Sequence, residues 1–169
     1  LVCRIDGSTF RWRGQDVHLA IPGRFNVDNA LAAAEAARFA GVSDAAIADG
    51  LTGAGQVPGR FEIVARADAE LDRPTVVVDY AHTPDGLAKV LAAVRELAPE
   101  AGIAVVFGCG GDRDRDKRPL MGAAAAAGAD HVIVTSDNPR SEDPDAIIAA
   151  IVAGLPADAD HDVQPDRGA

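Results

Sequence analysis

Residues 137–140 read Asp-Asn-Pro-Arg, set between the apolar run Val132, Ile133, Val134 and the pair Asp143-Pro144. Such a turn offers one ligand a guanidinium fork, an amide and a carboxylate together. Arg140 can clamp a carboxylate through two parallel hydrogen bonds. Asp137 and Asn138 add an acceptor and a donor. Pro139 stiffens the turn, which reduces the entropy lost on binding. The same residues can instead form an Asx-type turn that leads into a helix cap, and Arg140 can simply stiffen it by pairing with Glu142 or Asp143.

Two other loops hold comparable chemistry. In "VVVDYAHTPDG", Asp79 and His82 follow an apolar run. A carboxylate there can accept two ribose hydroxyls, and an imidazole can stack on a purine or donate to a phosphate; alternatively Asp79 ends a strand and His82 sits on the surface. "FGCGGDRDRDKRP" is glycine-rich, so its backbone N–H groups can approach an anion closely. It is not a phosphate-binding Walker loop, because the G-x-x-x-x-G-K-[ST] spacing occurs nowhere in the chain. Its alternating run from Asp112 to Arg118 reads either as a solvated, self-paired loop or as a presentation of an arginine to a carboxylate or phosphate. Asn26 and Asn29 stand at the mouth of a helix, where side-chain amides read a base or cap the helix. Arg60, with Glu62, opens a strand and can meet phosphate or an acidic neighbour.

The elements that must position these groups follow from periodicity. "TFRWRGQDVHLAI" alternates as a β-hairpin. "NVDNALAAAEAARFAG" reads as a helix anchored by Leu31 and Phe39 and stopped at Gly41, and Ser43 caps a second helix. "TGAGQVPGR" is the best domain boundary, at about residue 57. "RFEIVAR" is then a strand. Beyond it, strand and helix alternate: "TVVVDY" and "IAVVFG" as parallel strands buried on both faces, then "HVIVT", each followed by a helix, with Thr83-Pro84, Pro119 and Asp143-Pro144 at the helix starts. This rhythm predicts an α/β fold, a Rossmann-like, mostly parallel sheet with flanking helices, preceded by a small α+β tail. Loops after the strands of such a sheet share one edge, where ligands bind, so the three polar loops are expected to converge.

Composition narrows the classes. Hydrophobic residues make up 48% of the 169, enough for a packed core, and acidic residues outnumber basic ones 26 to 16. A net charge of −10 argues against a nucleic-acid or anionic-membrane partner while leaving room for a small anion held by local arginines. Cys3 and Cys109 form no CxxC, so neither a disulfide framework nor a zinc site is expected. The alanine-rich segments are too short and too polar at their flanks to span a bilayer. The expectation is a cytoplasmic protein. A start at Leu1 without Met, and an end at "HDVQPDRGA" that reads as another element beginning, suggest a piece of a longer chain, or a trimmed boundary.

In order, "GRFNVDNALAA", "VPGRFE", "VVVDYAHTPDG", "VFGCGGDRDRDKRPLMG" and "TSDNPRSEDP" resemble the Mur ligases, over nearly the whole chain to about residue 155. The resemblance is to members that add the third residue of the peptidoglycan stem peptide. It implies that residues 1–57 end a central ATP-binding domain and residues 58–169 form most of a Rossmann-like carboxy-terminal ligase domain. It implies ATP and Mg²⁺ as cofactors, and activation of the D-glutamate γ-carboxylate of UDP-N-acetylmuramoyl-L-alanyl-D-glutamate as an acyl phosphate that an amino-acid amine attacks. Residue by residue, Asn29 and Asn26 match asparagines near adenine, Arg60 an arginine reaching phosphate, and Asp79 the aspartate near ribose. His82 lies in the same nucleotide-facing loop. Arg113 matches an arginine gripping the incoming amino acid. Asp137, Asn138, Pro139 and Arg140 match the signature selecting meso-diaminopimelate over lysine.

The chain departs from the family's pattern as well. It contains no P-loop, none of the family's central magnesium ligands, no UDP-sugar domain and no G-K-G-H-E loop. It is thus expected to hold half a nucleotide site and most of an amino-acid site, and to be inactive alone. Asp116 stands where glycine is common in the family. The alternatives are a folylpolyglutamate synthase-like or lysine-adding relative, and a non-catalytic Rossmann-like binding module.

Overall fold

The structure is a computed structural model that describes residues 1–66 and 73–168. They form two compact units, Leu1–Tyr80 and Ala81–Ala169.

In the first unit, β1 (Val2–Arg4), β2 (Gly7–Trp12) and β3 (Gln15–Leu19) make an antiparallel sheet in that order. Alternation sends Trp12, Val17 and Leu19 inward, where they meet Val27, Ala30 and Ala34 of α1 (Arg24–Phe39) and Ile47 and Ala48 of α2 (Asp44–Thr52). The Ser43 hydroxyl accepts the Ala46 N–H and starts α2. Phe39, expected as an anchor, is 97% exposed. The buried stripe of α1 runs Val27, Ala30, Ala34, with Ala37 packed against it; Phe39 lies two residues further, about 200° around the helix, and so points off the stripe.

β4 (Glu62–Ala65) and β5 (Val76–Val78) form a two-stranded antiparallel pair, Glu62 opposite Val78 and Ile63 opposite Val77. This corrects the expectation of a doubly buried parallel strand at "TVVVDY": Val76 and Val78 are exposed and Val77 is partly buried. A three-residue apolar run carries too little periodicity to separate the two cases.

In the second unit, β6 (Ala104–Phe107), β7 (His131–Thr135) and β8 (His161–Gln164) form a parallel sheet in that order, with Phe107 beside Val134 and Val134 beside Val163. Around it run α3 (Pro84–Leu97), α4 (Lys117–Gly128) and α5 (Pro144–Val152). The predicted helix starts are realised at α3 and α5. Thr83 accepts the Gly86 N–H ahead of Pro84, and Asp143 accepts the Asp145 N–H ahead of Pro144. One core cluster joins Leu87 and Leu91 of α3, Met121 and Ala125 of α4, and Ile147, Ile148 and Ile151 of α5 to Phe107, Val132 and Val134. These strand positions share one face of the sheet. On the other face of β6, Val106 is 59% exposed, so β6 is not buried on both sides as its apolar run predicted. Asp130 locks β6 to α3: its carboxylate accepts the Ile103 N–H and an Arg95 nitrogen, both at 2.7 Å, and the Arg95 partner holds its pKa below the usual carboxylate value. The second unit has the predicted Rossmann-like architecture, a parallel sheet flanked by helices, although the predicted body begins at residue 58 and this unit begins at Ala81. No helix among the described residues is long and apolar enough to cross a membrane.

Candidate functional site

β6 and β7 are parallel neighbours, so the loops leaving their carboxyl ends emerge side by side. These are residues 108–116 and 136–143, and they are bonded to each other along their length. Gly111 donates its N–H to the Asn138 carbonyl at 2.9 Å. Asp112 donates its N–H to Glu142 Oε1 at 2.7 Å and receives the Ser141 hydroxyl on Oδ1 at 2.7 Å. Arg140 donates through Nη1 to the Gly111 carbonyl.

This geometry limits the phosphate-cradle reading of the glycine-rich loop. The N–H groups of Gly111 and Asp112 are already spent on the neighbouring loop. Glycine is needed at 111 for a different reason: a methyl group there would overlap the Pro139 carbonyl oxygen.

Among the described residues, no ion pair forms within the charged run either; Arg115 and Arg118 pair outside it. Arg118, 3% exposed, places Nη1 and Nη2 at 3.1 and 2.8 Å from the two oxygens of Glu142, and Arg115 reaches the same carboxylate at 3.2 Å. The Glu142 side chain is 12% exposed. Arg118 and the Asp112 N–H together hold its pKa at about 2. Glu142 therefore belongs to Arg118 and Arg115, not to Arg140, and Asp143 is the α5 cap; neither of the two partners considered for Arg140 is the one it uses. Arg118 and Glu142 stand 24 positions apart, and nothing in that spacing announces a pair. Asp116 takes ordinary right-handed backbone, φ −67, so its position does not demand the glycine common in the family.

Arg140 itself sits at φ 51, and its remaining guanidinium nitrogens make no hydrogen bond among the described residues. Nearby, the exposed side chain of Asp137 meets Arg167 at 3.4 Å, a loose contact. Asn138 and Pro139 use their carbonyls within the loops, which leaves the Asn138 amide exposed. Arg113 is exposed, without an ion pair among the described residues. Lys117 ties the third loop in, donating to the His82 carbonyl at 2.8 Å, and the His82 side chain is exposed. Within this unit, then, the glycine-rich loop is bonded to the Asp-Asn-Pro-Arg turn and, through Lys117, to His82, whereas Asp79 belongs to the first unit.

The remaining candidates lie in the first unit. The Asn26 amide donates to the Pro22 carbonyl at 2.8 Å, whereas Asn29 is exposed. The Arg60 guanidinium lies 5.0 Å from the centre of the Tyr80 ring. Asp79 accepts the N–H of Phe61 at 2.8 Å. Phe61 is fully buried with φ 45, so this carboxylate also holds a strained strand entrance. Among the described residues no three His, Cys, Asp or Glu side chains gather as a cation would require. The side chains of the described residues therefore do not by themselves make up a Mg²⁺ site.

Residues 59–168 match the Mur ligase, glutamate ligase domain. A UDP-N-acetylmuramoyl-L-alanyl-D-glutamate–2,6-diaminopimelate ligase of a Synechococcus species is 52% identical over 151 residues, 89% of this chain and 30% of that protein. A ligase of the same name from Gloeobacter violaceus is 51% identical over 145 residues, 86% of this chain and 29% of that protein. The chain thus spans about 30% of the length of these relatives. Among solved structures, one described as a UDP-N-acetylmuramoyl-L-alanyl-D-glutamate–2,6-diaminopimelate ligase is 40% identical with a TM-score of 0.61, over 98% of this chain and 34% of that one. Mycobacterium tuberculosis folylpolyglutamate synthase is 26% identical with a TM-score of 0.74, over 98% of this chain and 37% of that one. With a domain match over most of its length and relatives more than half identical, the chain belongs to the Mur ligase family.

Proposed function

We propose that this chain is the amino-acid-receiving part of an ATP-dependent ligase that adds meso-diaminopimelate to UDP-N-acetylmuramoyl-L-alanyl-D-glutamate in peptidoglycan synthesis. The observation that carries the reading is Arg140. Its backbone is left-handed, one guanidinium nitrogen is anchored on Gly111, and the others make no hydrogen bond among the described residues, in a turn where Asp137 and Asn138 are exposed as well. An arginine held in this way is pre-aimed for a carboxylate, and the neighbouring Asp137 suits the ammonium of the same zwitterionic end. Arg113 would grip the amino acid from the adjacent loop.

In this reading residues 58 onward are the ligase domain and residues 1–57 close an ATP-binding domain; the domain match beginning at residue 59 supports that division. ATP, when bound, supplies the phosphoryl group that activates the γ-carboxylate, with Asn26, Asn29, Arg60, Asp79 and His82 contributing to its site. Asn29 and Arg60 have exposed side chains suited to this. The contribution of the second unit is to hold the acceptor amine still for attack, an entropic service. The reaction would take place in the cytoplasm. The test is the acceptor preference of the full-length enzyme with and without Arg140.

A folylpolyglutamate synthase-like activity has the higher TM-score in its favour, but shape is shared across many functions. The Asp-Asn-Pro-Arg turn favours instead an acceptor whose distal end carries both an ammonium and a carboxylate.

A further inference from the structure

We propose that Arg118 and Glu142 are the positioning pair of the amino-acid site: the Glu142 carboxylate clasps the glycine-rich loop to the Asp-Asn-Pro-Arg turn and so fixes the direction of the Arg140 guanidinium. The inference rests on the amino-acid-binding reading of Arg140 and adds to it two residues that do not face the ligand.

The clasp is reciprocal. Glu142 receives Arg118 on both oxygens and the Asp112 N–H on Oε1, while its own N–H closes onto the Pro139 carbonyl at 3.0 Å. One side chain thereby links the first turn of α4, the tip of the glycine-rich loop and the turn that carries Arg140. Among the described residues of the second unit, the non-glycine residues at positive φ are Asp112 and Arg140, at 52 and 51. Both lie in this clasp, and each bonds the opposite loop, Asp112 to Ser141 and Arg140 to Gly111. Left-handed backbone at such residues persists only where the surroundings over-determine it.

A buried ion pair is a poor way to gain stability, because desolvation offsets most of the attraction. It is a good way to fix direction, because a bidentate guanidinium–carboxylate pair tolerates little rotation. Arg118 Nε is buried without a partner, as expected if the side chain is placed to aim its two terminal nitrogens. Glu142 is ionised throughout the neutral range, since its pKa lies near 2. Glutamine would therefore set an amide N–H₂ against a guanidinium nitrogen at one of the two contacts.

The test uses the full-length ligase, with KM for diaminopimelate and for ATP measured on folded Glu142→Gln, Arg118→Lys and Arg140→Ala enzymes. Glu142→Gln is expected to raise the KM for diaminopimelate at least tenfold and leave the KM for ATP within twofold. Arg118→Lys keeps the charge but loses the fork, and is expected to give a smaller rise of the same kind. It also serves as the deciding variant if Glu142→Gln does not fold. A pair that only stabilised the fold would lower the yield or the melting temperature and leave both KM values unchanged. That outcome, alongside a raised KM in Arg140→Ala, overturns the positioning role and leaves the site reading standing. An unchanged diaminopimelate KM in Arg140→Ala overturns the site reading, and this inference with it.

Discussion

Gly111 and Pro139 lie in backbone contact, with the Pro139 carbonyl oxygen occupying the space a side chain at 111 would need. Gly111→Ala must therefore push the two loops apart. The expected cost is about 1–3 kcal/mol, as for other overpacked sites, read as a lower urea midpoint of the chain. Gly110→Ala is the control. Its new methyl would meet Arg140 Nη1 at an ordinary 3.5 Å, and the change should stay within about 0.5 kcal/mol. Equal effects at the two positions would mean that the loops do not approach as described.

Asp79 has a structural duty whatever its role toward ATP. Asp79→Ala strips the acceptor from the Phe61 N–H, and a partly buried donor left unpaired costs about 1–3 kcal/mol. Asp79→Asn keeps an acceptor oxygen and should retain most of that stability. In the full-length enzyme, Asp79→Asn should still raise the KM for ATP more than the KM for the amino acid, because a ribose hydroxyl loses its carboxylate. A raised KM for the amino acid alone would show that this loop does not face the nucleotide.

His131 joins β7 to the neighbouring strand by ion pairs, Nδ1 to Asp160 at 3.0 Å and Nε2 to Asp162 at 3.2 Å. The Asp160 hydrogen bond raises its pKa above the ordinary 6.5. A raised folded-state value means that the pairs contribute in full below the unfolded value and lose their contribution as pH rises through the folded one. The gap in unfolding midpoint between the chain and His131→Gln should therefore be wide just below the unfolded value, narrow as pH rises through the folded one, and shrink in high salt. A gap independent of pH would contradict the ion pairing.

The 169-residue chain alone should not turn over ATP. No G-x-x-x-x-G-K-[ST] stretch is present, and the glycine-rich loop spends the N–H groups of Gly111 and Asp112 on Asn138 and Glu142. Phosphate release assayed on the purified chain should match the buffer blank; release that scales with chain concentration and persists through repurification would refute this.

What could be read from the residues alone was set by local chemistry. Thr83-Pro84 and Asp143-Pro144 carry their caps within a few residues, so the starts of α3 and α5 were visible. The strand-helix rhythm likewise gave the parallel sheet. Features that depend on distant partners were not legible. Glu142 finds Arg118 across two loops, and β5 finds β4 in antiparallel register; neither pairing leaves a periodic trace. Phe39 misled because size suggests an anchor, while helix phase alone decides which way it points. At Gly111 the glycine serves backbone-to-backbone contact, which leaves the same signal in the sequence as anion binding.

The most direct measurement of the central claim is the ratio of kcat/KM for diaminopimelate to that for lysine, in the full-length enzyme and in Arg140→Ala. The two acceptors differ at the distal end, where lysine lacks a carboxylate. A site built around a guanidinium rejects the analogue that leaves it unpaired by about 10⁴-fold or more. Losing one side of a buried charged contact costs roughly 2–5 kcal/mol, more than tenfold in affinity. Arg140→Ala should lose most diaminopimelate turnover and narrow the ratio at least tenfold, without making lysine a good substrate. A ratio unchanged from the parent enzyme would contradict the clamp and reduce Arg140 to a brace on Gly111.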